Sequence, residues 1–430
     1  MNYTKQLLDY ISNSPSPFHV VEYSSSMLKD AGFKELDPSQ NWSLEPNAGY
    51  YINQYGTTLL AFTTGKTIDE MSSVRMANAH TDQPCFRVKP NPILLEKGYL
   101  KVNTETYGGV ILNTWLDRPL SLAGKVVLKS DDVFNPKTTL IDFARPLLTI
   151  PNLAIHLNRD INKGVELNKQ THMLPILGMI NDTLNNDDYF LNIIAEELHV
   201  KPEEIIDFDL YVYLYENGTT LGINNEFISS PRLDNLTSSL ALINGLIASK
   251  NNENSNINII GLFDNEEVGS STKQGADSMV SNILLTKIFA GLGKSQVDAY
   301  NIIPKSFCIS MDVAHALHPN YSAKSDPTNI AVLNGGVVLK IDTTQRYASD
   351  IEALATIEQL CKNNNIDYQK YVNRSDALGG STLGSISSTW LPMKTVDLGM
   401  PMLAMHSARE LIGVKDQEML VKLAEAYFTK

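Results

Sequence analysis

Two hydrophobic patterns alternate along both ends of the chain. Apolar residues recur at the spacing of an amphipathic helix in residues 3–11, 20–31, 236–249, 281–291, 349–363 and 416–428. Short apolar runs of the kind that form buried strands cover residues 50–52, 58–62, 74–82, 258–263, 307–311, 337–342 and 393–400. This alternation predicts an α/β fold in which helices cover both faces of a central β-sheet.

The middle of the chain has a different pattern. From about residue 86 to residue 225, short β-like pieces such as 98–102, 124–129 and 209–215 are separated by proline, glycine and asparagine turns. We interpret this stretch as an inserted, mostly β module. The domain prediction is therefore an α/β domain formed by residues 1–87 and 229–430, interrupted by a β-rich domain of residues 88–228.

Composition narrows the class of protein. The chain has 430 residues, 43% of them hydrophobic and 19% charged, which is typical of a soluble globular protein with a large core. Its formal net charge of −13 opposes general binding to nucleic acids or anionic membranes, so we expect neither as a partner. No apolar run reaches the roughly 18 residues that cross a bilayer, and residues 1–30 lack the pattern of a secretion signal. We therefore expect a cytoplasmic protein with reduced cysteines.

The stretch of residues 258–270 is the first candidate for chemistry, because an apolar strand runs directly into Glu266 and Glu267. Side chains that follow buried strands at a sheet edge commonly carry the chemistry of α/β enzymes. Four other apolar stretches also lead to a side chain that can bind a metal ion, namely His80, Asp234, Asp312 and His406. Together with Glu267 these residues form a candidate metal-binding set.

Two imidazoles and three carboxylates suit two divalent ions of the zinc, cobalt or manganese type, because each ion can take one histidine and share a carboxylate. Paired ions lower the pKa of a bound water and polarise a carbonyl group, and a carboxylate that binds no metal must then move the proton. Glu266, next to a candidate ligand, fits that role. Taken singly, each residue is more often a helix cap, a solvated acid or a hydrogen-bonded structural histidine than a metal ligand.

Further motifs connect the chain to a known family. They are residues 14–19 (SPSPFH), 79–82 (AHTD), 107–109 (YGG), 114–119 (TWLDRP), 153–157 (LAIHL), 232–235 (RLDN), 264–269 (DNEEVG), 312–321 (DVAHALHPNY), 345–347 (QRY) and 405–407 (MHS). In these motifs the sequence resembles the aspartyl aminopeptidase family of metallopeptidases, and the resemblance runs almost from end to end.

The resemblance implies a role for each candidate residue. The implied metal ligands are His80 and His406 as terminal histidines, Asp234 as the bridging carboxylate, and Glu267 and Asp312 as the remaining acids. Glu266 corresponds to the general base. Asp82 resembles the acid that orients the His80 imidazole behind the metal.

The resemblance also implies a fold and an assembly. The family has a zinc-exopeptidase-type α/β domain interrupted by a β-rich domain for dimerisation, and it forms a tetrahedral dodecamer. His156, in the inserted segment, is implied to reach the active site of a neighbouring subunit and to help hold the substrate carbonyl or its tetrahedral intermediate. The alternative is a buried histidine with a structural role, since His156 lies among apolar residues.

Lys340 is the candidate for substrate selectivity. It resembles a lysine that faces the substrate side chain in family members that prefer an N-terminal Asp or Glu, where it would pair with the acidic group. The alternative is a lysine at a strand end that extends into solvent. Two loops depart from the family pattern, at Ser375 and Gly379 and at residues 324–327, and these departures affect the expected shape of the substrate pocket.

The leading functional hypothesis is a cytoplasmic di-metal aminopeptidase that removes N-terminal residues from peptides with a free N-terminus. Acidic residues are the expected substrates, and attack comes from a metal-bound hydroxide made by Glu266. The alternatives are an aminopeptidase of the same family that prefers neutral residues such as Leu, a di-metal deacylase of small N-acyl amino acids, and a non-catalytic assembly that keeps the fold.

Overall fold

A computed structural model describes residues 2–67, 72–179, 189–250 and 255–430 of the chain. The α-helices are α1 (Tyr3–Ser12), α2 (Pro17–Asp30), α3 (Tyr189–Leu198), α4 (Leu233–Ser249), α5 (Val280–Gly291), α6 (Gln296–Ile302), α7 (Ile351–Asn363), α8 (Leu383–Trp390) and α9 (Val414–Thr429). Among the described residues, none of these helices is long and apolar enough to span a bilayer.

The strands fall into three sheets. In chain order they are β1 (Lys34–Glu35), β2 (Gly49–Gln54), β3 (Thr58–Thr63), β4 (Val74–His80), β5 (Cys85–Glu96), β6 (Tyr99–Tyr107), β7 (Leu120–Leu128), β8 (Lys137–Asp142), β9 (Ile176–Met179), β10 (Ile205–Leu214), β11 (Thr219–Leu221), β12 (Phe227–Ser230), β13 (Ile257–Phe263), β14 (Phe307–Met311), β15 (Ala314–His315), β16 (Val337–Ile341), β17 (Tyr368–Val372), β18 (Lys394–Gly399), β19 (Pro401–Leu403) and β20 (Glu410–Gly413).

The largest sheet of the described chain has the strand order β1-β2-β3-β13-β4-β14-β18-β16-β17. At its centre, β4 lies between β13 and β14 and runs parallel to both. The register pairs Phe263 at the end of β13 with His80 at the end of β4. Because parallel strands end at the same edge, the residues that follow β4, β13 and β14 are brought together there.

Helices cover both faces of this sheet. On one face, Ala77 of β4 and Ile260 of β13 pack in a core with residues of α4 and α9. On the other face, Met76 and Ile259 pack with residues of α5 and α6. Alternate residues of each strand therefore enter opposite cores, which explains why apolar residues occur on both faces of these strands. The prediction of an α/β fold with helices on both faces is confirmed.

A second sheet has the order β8-β7-β10-β5-β6-β9 and is built from residues 85–214. It has its own core, in which Leu122 and Leu210 pack with Phe190 and Ile194 of α3. The third sheet pairs β12 with β20, so residues before and after the long helix α4 share it. The domain division at residues 88 and 228 stays a prediction, and residues 68–71, 180–188 and 251–254 lie outside the described residues.

Candidate metal centre

The five predicted metal ligands meet at one edge of the large sheet. His80 is the last residue of β4, Asp312 directly follows β14, and Glu267 lies in the short helical turn that follows β13. Asp234 is in the first turn of α4, and His406 lies in the loop between β19 and β20. Three parallel strands thus deliver three of the side chains, and a helix start and a loop complete the set.

The five residues divide into two groups around Asp234. We call the group of His80, Asp312 and Asp234 the first position, and that of His406, Glu267 and Asp234 the second. In the first position, His80 Nε2 lies 3.3 Å from Asp234 Oδ1 and 3.6 Å from Asp312 Oδ1. In the second position, His406 Nε2 lies 3.4 Å from Asp234 Oδ2 and 3.5 Å from Glu267 Oε2. Asp234 therefore presents one carboxylate oxygen to each histidine, which is the geometry of a carboxylate shared between two sites.

The spacing of these atoms fits a cation better than direct hydrogen bonds. Strong charge-assisted N–H···O bonds are about 2.7–2.9 Å long, shorter than all four distances. Two ligand atoms that are each ~2.1 Å from a tetrahedral zinc ion lie about 3.4 Å apart. The Asp234 side chain is only 3% exposed, and its Oδ1 atom has no hydrogen-bond partner among the described residues. The donor set and its spacing therefore fit divalent ions of the zinc type.

Both imidazoles are anchored by a backbone carbonyl behind the ring. His80 Nδ1 lies 2.9 Å from the Asp82 carbonyl oxygen, and His406 Nδ1 lies 3.1 Å from that of Gly109. A carbonyl oxygen only accepts, so each Nδ1 carries the hydrogen and donates it. This arrangement leaves Nε2 of both rings to face the carboxylates, as metal-binding histidines require.

The Asp82 side chain has contacts beyond the His80 ring. The resemblance implied that its carboxylate orients His80; Oδ1 lies 3.5 Å from His80 Nδ1, and the backbone carbonyl of Asp82 is the nearer acceptor. The carboxylate also accepts from the backbone N–H groups of Glu266 and Glu267, each at 3.1 Å, and from the Tyr107 hydroxyl at 2.7 Å. Asp82 therefore holds the turn that carries both glutamates.

Burial and the negative charge of the carboxylates make the centre favourable for positive charge. Burial opposes protonation of His406, but Asp234 and Glu267 outweigh it and raise its pKa to about 10. The pKa of His80 is raised well above its usual range, because Asp234 and Asp312 outweigh the same effect of burial. Burial also raises the pKa of Glu266 to about 8, against the effect of His80 and with support from Asp312.

Glu410 is a residue of the centre that the sequence interpretation missed. Its side chain is 3% exposed, and its two oxygens accept from the backbone N–H groups of Asp234 at 3.0 Å and His406 at 2.9 Å. Burial, with the charge of Asp234, raises its pKa to about 8. The available signal was an acid four residues after His406 in the otherwise apolar strand β20.

The Tyr107-Gly108-Gly109 motif brings the second sheet against the centre. Gly108 has a positive φ of 70°, and a Cβ there would lie 3.1 Å from Glu267 Cβ. A Cβ on Gly109 would lie 3.1 Å from His406 Nδ1. The two glycines are therefore explained by the close approach of the backbone to two of the candidate ligands.

Lys340 lies beside the first position and not in solvent, so the alternative of a solvated lysine is wrong. The side chain is 1% exposed, and Nζ donates to the Val313 carbonyl at 3.1 Å. Nζ also lies 4.0 Å from Asp312 Oδ2 and 5.1 Å from the centroid of the Tyr347 ring. Burial works against the charge of Lys340, but Asp312 and other groups outweigh it and raise its pKa.

His156 lies far from any core, so the alternative of a buried structural histidine is also wrong. It is exposed in a turn of residues 155–157, and it has no hydrogen bond to the described residues. The surrounding apolar side chains are exposed as well, with Leu153 at 53% and Leu157 at 75%. Within this single chain, His156 does not join the five predicted ligands.

Imidazoles and carboxylates gathered at the edge of an α/β sheet define a metallohydrolase. The family model described as "Aminopeptidase I zinc metalloprotease (M18)" matches residues 10–428. The "Probable M18 family aminopeptidase 2" of Clostridium novyi (strain NT) is 46% identical over 429 residues, which are 100% of this chain and 99% of that protein. The chain belongs to the M18 family of zinc metalloproteases, which includes the aspartyl aminopeptidases, and is a metallo-aminopeptidase. The prediction of this class from the sequence is confirmed.

Solved structures agree with the fold. The cryo-EM structure of the Ape4 and Nbr1 complex contains a chain that matches with a TM-score of 0.96 and 34% identity over 100% of this chain and 85% of that chain. The S. cerevisiae mApe1 dodecamer matches with a TM-score of 0.85 and 26% identity over 99% of this chain and 96% of that chain. Both similarities cover the two large sheets together.

The centre predicts that zinc stabilises the protein through Asp234. A ligand that binds only the folded state at 100 times its Kd adds about 2.7 kcal/mol to the free energy of unfolding. We expect zinc to raise the thermal midpoint of the metal-free wild type and to have little effect on Asp234→Asn. Scanning calorimetry with and without zinc measures both shifts. Asp131→Asn, at an exposed position, is the control, and an equal zinc shift in Asp234→Asn would contradict the assignment.

Proposed function

We propose that the chain is a di-metal aminopeptidase that removes acidic residues from the free N-terminus of peptides. The proposal of two metal ions rests on the position of Asp234, because its two carboxylate oxygens lie 3.3 and 3.4 Å from Nε2 of His80 and His406. The proposed ligands are His80, Asp312 and Asp234 in the first position, and His406, Glu267 and Asp234 in the second. Zinc is the proposed ion in both, and cobalt or manganese suits the same donors.

When bound, two such ions supply a water of lowered pKa and polarise the carbonyl group that is attacked. The remaining task is proton transfer, which we assign to Glu266. Its carboxylate is next to a proposed ligand but belongs to neither group, so it is free to take a proton from the attacking water and to pass it to the leaving amine. The pKa of about 8, raised mainly by burial, falls when cations bind nearby, which keeps the basic carboxylate available near neutral pH.

Replacing Glu266 tests this assignment. Glu266→Gln keeps the shape of the side chain but removes the base, so we expect kcat to fall by at least ~100-fold, as for loss of a general base. Hydrolysis of an aspartyl anilide gives kcat, and elemental analysis gives the metal content, which we expect to stay at the wild-type value. Glu105→Gln, at an exposed position of β6, is the matched control. Turnover at the wild-type rate with both metals present would rule out Glu266 as the base.

The proposed preference for acidic residues rests on Lys340. Its buried ammonium group has three donors, and one hydrogen bond to Val313 is made within the described residues. The nearest carboxylate is Asp312 Oδ2 at 4.0 Å, so a donor is available for a further anion beside the first position. An N-terminal Asp or Glu side chain supplies that anion, and a charge-assisted hydrogen bond to it contributes about 1.5–3 kcal/mol.

Lys340→Met tests the preference, because methionine keeps much of the buried volume and removes the charge. We expect kcat/KM for Asp and Glu anilides to fall about 10- to 100-fold relative to Leu anilide, the range that the loss of a charge-assisted hydrogen bond predicts. Lys370→Met, on the adjacent strand β17, is the control. An unchanged ratio of acidic to Leu hydrolysis would reject the selectivity role. Release of acetate from N-acetylated amino acids would favour a deacylase instead.

We also propose that the chain works as a homo-oligomer, a tetrahedral dodecamer, in which His156 acts in a neighbouring subunit. One similar solved structure is that of the mApe1 dodecamer. The exposed apolar side chains around His156 support contact with a second copy, because such a patch is unfavourable in water. In that role His156 donates a hydrogen bond to the substrate carbonyl oxygen as negative charge develops there.

Mixed assemblies test the role of His156. We expect His156→Ala and Glu266→Gln to be nearly inactive when expressed separately. Co-expressed at equal amounts, they regain activity if His156 acts across a subunit contact, because random pairing leaves about one site in four with both groups intact. Anilide hydrolysis by the purified mixed assembly measures the recovery. Activity no higher than that of the separate variants would contradict the proposal.

A further inference from the structure

The two candidate cation positions are supported by different parts of the chain. In the first position, His80 ends β4 and Asp312 follows β14, and these are adjacent parallel strands of the large sheet. The His80 side chain is 1% exposed, and its ring is anchored by Asp82, two residues away. The strand ends of the large sheet therefore hold this position.

The second position depends on contacts from outside that sheet. His406 lies in a loop with a positive φ of 66°, an unfavourable conformation for a residue with a Cβ, and its side chain is 31% exposed. Its ring is anchored by the Gly109 carbonyl, 297 residues away in the sequence. The Ile111 N–H also donates to the His406 carbonyl at 3.1 Å. Both partners lie in the turn of residues 107–111, which starts at the last residue of β6 in the second sheet.

The same turn reaches the other ligand of the second position. The Tyr107 hydroxyl donates to Asp82 Oδ2 and accepts from Asn265 Nδ2 at 2.9 Å. Asp82 Oδ2 in turn accepts from the Glu267 N–H, so the hydroxyl helps to hold the glutamate through one carboxylate. Gly108 also packs against the Glu267 side chain. Residues 107–111 thus contact or support both His406 and Glu267.

We propose that the turn of residues 107–111 is a positioning element that sets the cation affinity of the second position far more than that of the first, because its direct contacts are to His406 and Glu267. Packing of the second sheet against the large sheet then governs whether the second position fills. The inference rests on the proposed di-metal function, and it adds that the two positions are unequal and that the second sheet controls one of them.

Gly109→Ala tests the inference by metal binding, without reference to activity. The added methyl group would lie 3.1 Å from His406 Nδ1 and displace the ring from its carbonyl anchor. We expect wild type to bind two equivalents of zinc in a titration against a competing chelator. We expect Gly109→Ala to keep one equivalent unchanged and to weaken the other about 10- to 100-fold, the effect of losing an outer contact of a metal ligand. Gly178→Ala, where the added methyl meets nothing within 4 Å, is the control.

A second pair of variants covers the case in which Gly109→Ala perturbs the fold. Tyr107→Phe removes only the hydroxyl, which reaches Glu267 through Asp82. We expect it to weaken the second-position equivalent about tenfold, the lower end of such outer-contact effects, and to weaken the first, whose His80 contacts Asp82 mainly through the backbone carbonyl, by less. Tyr211→Phe is the matched control, because Tyr211 packs against Tyr107 and its hydroxyl has no hydrogen bond to the described residues. Circular dichroism checks that each variant keeps the secondary structure of wild type.

A background variant identifies the affected position. In His406→Ala, the second position is already lost, so adding Gly109→Ala should leave the remaining equivalent unchanged. Further weakening there, or equal weakening of both equivalents in Gly109→Ala alone, would overturn the role of the turn. A wild-type protein that binds a single equivalent would instead overturn the di-metal centre itself, so the two failures are distinguishable.

Discussion

Repulsion among buried carboxylates is the constraint on which the rest of the centre depends. Acidic side chains from strand ends, a helix start and a loop surround two imidazoles in a largely dehydrated space. The raised pKa values of Glu266 and Glu410, both about 8, reflect this burial. Such a cluster is stable only with compensating donors or cations, because an unpaired buried charge is strongly unfavourable. The affinity of the pocket for positive charge follows directly.

The backbone provides part of that compensation. Asp82 accepts from the N–H groups of two consecutive glutamates, and Glu410 accepts from those of Asp234 and His406. Each of these two acids therefore fixes the chain that carries a pair of candidate functional residues. Such fixed supporting contacts hold reacting groups in place more precisely than side-chain rotamers alone. The remaining compensation is left for the ions that the five ligands are spaced to accept.

Hydrophobic periodicity predicted most of the strands of the large sheet and the helices that cover it, because strands buried on both faces and amphipathic helices have distinct patterns. It missed α3, whose residues Tyr189–Leu198 are rich in apolar and β-branched side chains and lie in a stretch interpreted as mostly β. It also missed α8, where residues Leu383–Trp390 combine serine, threonine and glycine with few strong helix formers. For α8, packing against a sheet outweighs the weak helix preference, as the burial of Leu383 shows. The helix α3 has good helix formers in Ala195, Glu196 and Leu198, and it was missed because the surrounding stretch was interpreted as mostly β.

The sequence by itself determined the class of enzyme and the chemical identity of the candidate ligands, since residue type and motif spacing are local properties of the chain. Only the tertiary structure decided which oxygen of Asp234 faces which histidine, that Lys340 is buried, and that Glu410 and Gly109 support the centre. These facts depend on contacts between residues far apart in the chain, such as the 297 positions between Gly109 and His406. No local pattern encodes such a contact, because it exists only once two separately folded sheets pack together.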